Sequence, residues 1–257
     1  MALYHPRVFD LHEQRLLDPA PTPHPLHGHP ARGHGYIYPR LTGTWNAAQQ
    51  LGYLEYHPKL TYEARDGTSR RAPHPLVGDL LLFIERPGVP DYCINWNIKS
   101  QRANFKHRPT PYTSSSPYSG ITKTAARNCI EAANYASADI PTKEIAGTDI
   151  PPVLTANLTD GFVAACEISL PSEIQEKVIR RLRAAIGTMQ TPLDIWSEFS
   201  LTLGLTHYQF RTAMYTGVWR RQLRLELTER ILFDRPMIAE RTDILDIYAS
   251  WFRGPDA

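Results

Sequence analysis

Val77-Gly78-Asp79-Leu80-Leu81-Leu82-Phe83-Ile84 and, beyond Arg86-Pro87-Gly88-Val89-Pro90, Tyr92-Cys93-Ile94-Asn95-Trp96-Asn97-Ile98-Lys99 decide the reading of this chain. Large apolar residues dominate both runs, and the prolines and glycine between them mark a short connection, so the two read as adjacent strands of an antiparallel hairpin. Asp79 begins a continuous apolar stretch, the pattern of a central strand buried on both faces, which leaves its carboxylate at the rim of the sheet. Lys99 closes the second strand. Taken singly, an aspartate after Gly78 caps a turn and a lysine at a strand end guards an edge. Taken together, they set a metal-ligating oxygen beside an ammonium group that orients water or steadies a developing phosphorane. Asn97 stands where an acid is usual in such sites and offers a carbonyl oxygen instead.

Upstream of the hairpin, Lys59 to Arg65 reads as a strand turned by Asp66-Gly67. Thr44 to about Tyr56 reads as a helix, N-capped by Thr44, with Trp45, Ala48, Leu51 and Leu54 on one face. Downstream, Arg102 to Ser119 is rich in proline, serine and tyrosine and reads as a loop or insertion. Lys123 to Ala136 has helical spacing with Ala126, Cys129, Ile130 and Ala133 inward, and Thr155-Ala156-Asn157-Leu158 is expected to close the sheet. Glu63 on the upstream strand and Glu131 on the helix are further acidic candidates. Residues 1–40 read as an extended Pro/His-rich arm, because Pro19, Pro21, Pro23, Pro25 and Pro30 forbid regular helix or a central strand. Its His24, His27, His29 and His34 are metal ligands by type, but the proline-broken spacing fixes no geometry.

The 257 residues carry 28 Lys and Arg against 26 Asp and Glu, a net charge of +2, so any nucleic-acid surface has to come from local clusters. Three stand out: Lys106-His107-Arg108, Arg180-Arg181-Leu182-Arg183 and Arg220-Arg221-Gln222-Leu223-Arg224. Cys93, Cys129 and Cys166 are too few and too scattered for a disulfide scaffold or a zinc knuckle. No apolar run approaches the roughly 20 residues of a membrane span, and no signal-peptide core follows the first basic residue. The expectation is a soluble, cytoplasmic protein with no membrane partner.

From residue 171 the pattern becomes helical. Ser172 and Gln175 have capping-box spacing, and Ile174, Val178, Ile179, Leu182 and Ile186 form an apolar stripe. Thr191-Pro192-Leu193-Asp194 opens a helix with Ile195, Phe199 and Leu203; Gly204 breaks it, and Thr206 caps a second with Phe210, Met214 and Val218 inward. Helix, glycine turn, helix is the helix-turn-helix pattern, and Leu225-Glu226-Leu227 with Ile231-Leu232-Phe233 would supply a two-stranded wing. His207, Arg211, Arg220, Arg221 and Arg224 are then candidate DNA contacts, with Lys106, Arg108, Arg180 and Arg181.

Several stretches in order, Gly52-Tyr53-Leu54-Glu55-Tyr56-His57-Pro58, Gly78-Asp79-Leu80-Leu81, Asn97-Ile98-Lys99 and Ile130-Glu131-Ala132-Ala133-Asn134-Tyr135, resemble the TnsA family. The likeness continues through Leu203-Gly204-Leu205-Thr206, Arg220-Arg221-Gln222-Leu223 and Ile231-Leu232-Phe233-Asp234-Arg235-Pro236. That family supplies the endonuclease subunit of heteromeric cut-and-paste transposases. The resemblance implies an α/β chain, with a restriction-endonuclease-like catalytic domain over residues 41–170 and a winged-helix-like domain over 171–257. It implies Mg²⁺- or Mn²⁺-assisted cutting of the 5′ strand at transposon ends, a DDE-type transposase partner that cuts and joins the 3′ ends, and an AAA+ ATPase regulator. Asp79, Asn97 and Glu63 become the metal ligands, with Lys99 and Glu131 beside them. The chain departs from the family where its first acid belongs, about two turns before Leu54-Glu55: the residues there are Asn46-Ala47-Ala48, with Gln49 and Glu55 as the nearest stand-ins. That departure motivates a second reading, a weakened subunit that serves as scaffold and DNA grip. A third reading is a helix-turn-helix regulator with an unrelated sensor domain.

Overall fold

The computed structural model describes residues 1–31, 36–105, 122–167 and 170–255. In chain order its elements are β1 (Val8–Glu13), β2 (Leu16–Leu17), α1 (Thr44–Gln50), β3 (Lys59–Glu63), β4 (Ser69–Pro73), β5 (Leu76–Val77), β6 (Leu80–Ile84), β7 (Tyr92–Lys99), α2 (Lys123–Ala136), β8 (Thr142–Ala146), α3 (Pro152–Cys166), α4 (Ser172–Ala185), α5 (Pro192–Leu203), α6 (His207–Trp219) and α7 (Ile244–Ile247). The chain divides into two units, one of Pro6–Asp149 with Ser250–Ala257, the other of Ile150–Ala249 with Leu3–His5. No helix among the described residues is long and apolar enough to cross a membrane.

In the first unit the apolar runs around Asp79 and Lys99 form the antiparallel hairpin β6–β7, with Leu80 opposite Trp96 and Ile84 opposite Tyr92. The full sheet has the order β1-β6-β7-β8. β6 is a central strand, as its unbroken apolar run requires, and Leu81 to Ile84 are buried. Its other neighbour is β1, antiparallel, with His12 opposite Leu81 and Asp10 opposite Phe83. The described part of residues 1–40 is therefore no free arm: the stretch upstream of the prolines pairs as an edge strand, and Leu17, His24, Leu26 and His29 are buried. β8 lies parallel to β7, and α2 makes the crossover between them that a parallel pair requires. Thr155-Ala156-Asn157-Leu158 does not close the sheet; it belongs to α3, with Pro152 in the helix's first turn.

On one face of the sheet Leu81, Phe83 and Cys93 pack with Ile130 and Tyr135 of α2 and with Ala47 and Ala48 of α1. On the other, Trp96 donates its indole N–H to the Trp251 carbonyl at 2.9 Å and meets the Phe252 ring edge-on. α1 is shorter than its sequence suggests. Gly43 rather than Thr44 is its N-cap, and Gly52 at φ 73° lies just past its end. β3 and β4 form a separate two-stranded ribbon turned at Gly67, φ 76°.

The second unit is helical. α3 buries Leu154 and Leu158 in the same cluster as Val178, Ile179 and Leu182 of α4 and Phe210, Met214 and Val218 of α6. The boundary accordingly falls at Asp149/Ile150 and not at residue 171. Thr191–Asp194 and Thr206–Gln209 both close capping boxes, and Gly204 ends α5 in the left-handed region, φ 66°. Ser172 makes no such cap, because Gln175 Nε2 donates instead to the Ala213 carbonyl on α6. The expected wing is absent among the described residues: only Leu225 bridges Ala239. Asn157 accounts for this. Its amide donates to the carbonyls of Leu227 and Glu229 and accepts from the Ile231 N–H, fixing the loop that would have been the second wing strand.

Candidate active site

Asp79 sits one residue before β6 and Lys99 ends β7, so the hairpin brings them together as the sequence implies. Ile98 N–H donates to Asp79 Oδ2 at 2.7 Å, and Lys99 Nζ approaches the same oxygen at 3.4 Å. Both contacts fall on Oδ2, and Oδ1 has no hydrogen-bond partner among the described residues. The two side chains are 40% and 24% exposed, open enough to meet a ligand. The backbone at Asp79 is fixed from β1's end of the sheet, where Gln14 N–H donates to its carbonyl at 3.1 Å.

Asn95, Asn97 and Lys99 alternate along β7 and share the face that packs toward α2. There Asn95 Nδ2 donates to Glu131 Oε1 at 2.8 Å. Glu131 is only 7% exposed. Burial, reinforced by the Asp79 charge, pushes its carboxyl up to about 7 against the Asn95 hydrogen bond and the Lys99 ammonium. Gly78 makes room for it, because a Cβ there would stand 3.1 Å from Glu131 Oε1. Asn97 is 3% exposed, and its Oδ1 has no hydrogen-bond partner among the described residues.

Asp79, Asn97, Lys99 and Glu131 line one pocket of about 360 Å³. The sequence reading missed its other polar walls, Thr124, Arg127 and Asn128 of α2. The signal was present: they precede Glu131 by seven, four and three residues, the spacing of one helix face. Arg127 Nε is buried without a hydrogen-bond partner among the described residues. Glu63 is not part of the site; it lies exposed on the β3–β4 ribbon, opposite Ser69. Asn46, Gln49 and Glu55 do not line the pocket either, and Asn46 Nδ2 is tied to the Thr42 carbonyl.

A second cluster joins the first unit's edge strand to the proline-rich segment. Asp10, His12 and His29 present ligand atoms within 4.8 Å of one another and could hold a metal ion; no other such trio occurs among the described residues. His24 lies elsewhere, stacked on Tyr38 at 4.5 Å between ring centroids. Burial, helped by the Arg15 charge, lowers its imidazole to about 4. His34 lies outside the described residues, as do Lys106 and Arg108.

In the helical unit most of the candidate DNA-contacting arginines already face acids. Arg181 makes a bidentate pair with Glu198 at 2.9 and 2.6 Å. Arg211 meets Asp160 at 3.3 Å, Arg221 pairs with Asp243, and Arg224 bridges Glu240 and Asp243. Arg180 and Arg220 are exposed with no ion pair among the described residues. His207 is exposed with its ring against Trp196 and Phe233. No protein-family model matches the chain, and no curated protein matches it.

Proposed function

We propose that this chain is a metal-dependent DNA endonuclease of the TnsA kind, cutting the 5′ strand at transposon ends beside a DDE-type transposase and an AAA+ ATPase regulator. In this reading the first unit is a restriction-endonuclease-like domain and the second a winged-helix-like module that lacks its wing. The observation that carries it is the meeting of Asp79 and Lys99 in a pocket that also holds Glu131 and an unpartnered Asn97 oxygen.

The donor set suits a hard cation. Asp79 Oδ1 and the Asn97 Oδ1 are oxygens, as Mg²⁺ or Mn²⁺ demands, and among the described lining residues His74 is the one ring nitrogen donor, with no thiolate. Such an ion, when bound, would polarise the phosphoryl oxygen and acidify a water. Hydrolysis forms a bond from a water oxygen to phosphorus and breaks the bond to the leaving deoxyribose oxygen, so one proton must leave the nucleophile and one must reach the leaving group. Asp79, whose Oδ2 already takes Ile98 N–H and Lys99, would hold the ion through Oδ1, so the nucleophile's proton leaves to solvent water in the open pocket. Lys99 supplies positive charge where the phosphorane gains negative charge, and Arg127 extends it along the pocket wall. Glu131, with a proton affinity matched to neutral pH, is suited to exchange the remaining proton.

One observation favours the scaffold reading: among the described residues the pocket holds two carboxylates, Asp79 and Glu131, and α1 contributes none. A nicking assay separates the two. End-sequence DNA is incubated with the protein and Mg²⁺ or Mn²⁺, with and without a DDE transposase, and 5′-strand cuts are counted. Asp79→Ala and Lys99→Ala each should lower the rate at least about 10²-fold. Equal absence of cutting by wild type and Asp79→Ala would sink the enzyme and leave the scaffold.

A further inference from the structure

Asp10 and His12 are two residues apart on β1, so their side chains leave the same face of the strand. The chain then carries His29 back to them. His29 Nε2 lies 2.9 Å and His12 Nε2 3.5 Å from Asp10 Oδ2. Two donors that share an ion at about 2.1 Å each stand roughly 3.0–3.4 Å apart, so both His–Asp edges already have nearly that length. Phe83 backs the cluster, its ring 4.7 Å from His12 and 5.0 Å from His29, and Phe9 meets His29 edge-on at 5.5 Å. On the other side the Asp10 and His12 side chains are 38% and 41% exposed, which leaves water access to further coordination positions. An apolar wall behind two imidazoles and a carboxylate, with an open front, is the build of a transition-metal site.

We propose that Asp10, His12 and His29 bind a divalent first-row transition ion, Zn²⁺ foremost, which ties the proline-rich segment to the edge strand. Two ring nitrogens and one carboxylate favour such an ion over Mg²⁺. The ion-free hydrogen bonds set the cost of binding. His29 Nδ1 accepts from the Ala31 N–H at 3.2 Å and His12 Nδ1 from Arg15 Nη1 at 3.1 Å, so each ring keeps its proton on Nε2, facing Asp10. Coordination through Nε2 moves those protons to Nδ1, so the Ala31 N–H loses its acceptor on His29 and the Arg15 guanidinium must turn away from His12. Arg15→Gln should therefore strengthen binding.

Full-length, tag-free protein is stripped with a chelator and titrated with Zn²⁺ by calorimetry and with Co²⁺ by visible absorption. The expected result is one equivalent bound at micromolar metal, Co²⁺ ligand-field bands with no thiolate charge-transfer band, and a raised melting temperature with Zn²⁺. His12→Ala alters an accessible side chain and should weaken binding at least about 10-fold, as should Asp10→Asn. Asp79→Asn should leave it unchanged. Absence of saturable binding at micromolar metal overturns the assignment, as does equal affinity in wild type and His12→Ala; either would make the trio a hydrogen-bond clasp only.

Discussion

Glu131→Gln isolates the most unusual group in the candidate site. The carboxyl titrates at about 7 in the folded chain against 4.5 for an ordinary glutamate. Because the folded value is the higher one, the native state holds the proton more tightly. Glu131 therefore contributes fully below pH 4.5, and its contribution is lost as pH rises through 7. At about 1.4 kcal/mol per pH decade the loss comes to at most about 3 kcal/mol. The substituted amide keeps an acceptor for Asn95 Nδ2 and cannot ionise. Urea denaturation of wild type and variant, followed across pH 4 to 8.5, should give a difference near zero at the acid end. Above pH 7.5 the variant should be the more stable by up to about 3 kcal/mol, roughly 6–12 °C in melting temperature for a unit of this size. A pH-independent difference, or a variant less stable at pH 8, would refute the neutral, buried Glu131. The same substitution should depress strand cutting, so stability and activity would move in opposite directions, as expected where a functional group is held against its preference.

His24→Asn tests the opposite sign: with its imidazole lowered to about 4, wild type should lose up to about 3 kcal/mol as pH falls from 6.5 through 4, and a variant whose Oδ1 can still accept the Leu26 N–H should not. Gly43→Ala places a Cβ 2.4 Å from the Pro19 carbonyl at φ 88°, a backbone clash that should cost at least about 2 kcal/mol in thermal denaturation. Asp243→Asn removes the partner shared by Arg221 and Arg224 and should cost about 1.5–3 kcal/mol while tightening non-specific DNA binding in low salt. If the pocket grips phosphate, Arg127→Ala should lower the slope of log affinity against log salt by about 1, whereas Arg221→Ala, already paired, should leave it nearly unchanged.

The hairpin, α2 and the α5–Gly204–α6 turn were legible because their signals are local: apolar runs, proline and glycine punctuation, and reciprocal caps within four residues. Asp79, Asn97, Lys99 and Glu131 followed, since strand ends and a helix face position them. β1 escaped because its partner strand lies some seventy residues away, and nothing in Val8–Glu13 announces which strand it will join. β8 is five residues long and carries Lys143 and Glu144, too short and polar to stand out. The wing failed for a related reason. Apolar stretches at 225–227 and 231–233 look like strands, but Asn157, from a distant helix, takes the backbone groups that a ladder needs. Glu63 was a further acidic candidate in one dimension; its ribbon is a separate sheet.

The two proposed ion sites are tied to the same strand pair, which decides how they relate. Asp79 precedes β6, while Asp10 pairs with Phe83 four residues further on, about 13 Å along the strand. Paired metals that share a phosphodiester stand only about 3.5–4 Å apart, so the two clusters cannot form one two-metal centre. Their donors differ as well, oxygens beside Lys99 at one and ring nitrogens against Phe83 at the other. Each should select its own ion by hardness rather than compete for the same one. Cutting that needs Mg²⁺ or Mn²⁺ and survives His12→Ala, beside Zn²⁺ binding that survives Asp79→Asn, is the pairing of results that this geometry demands.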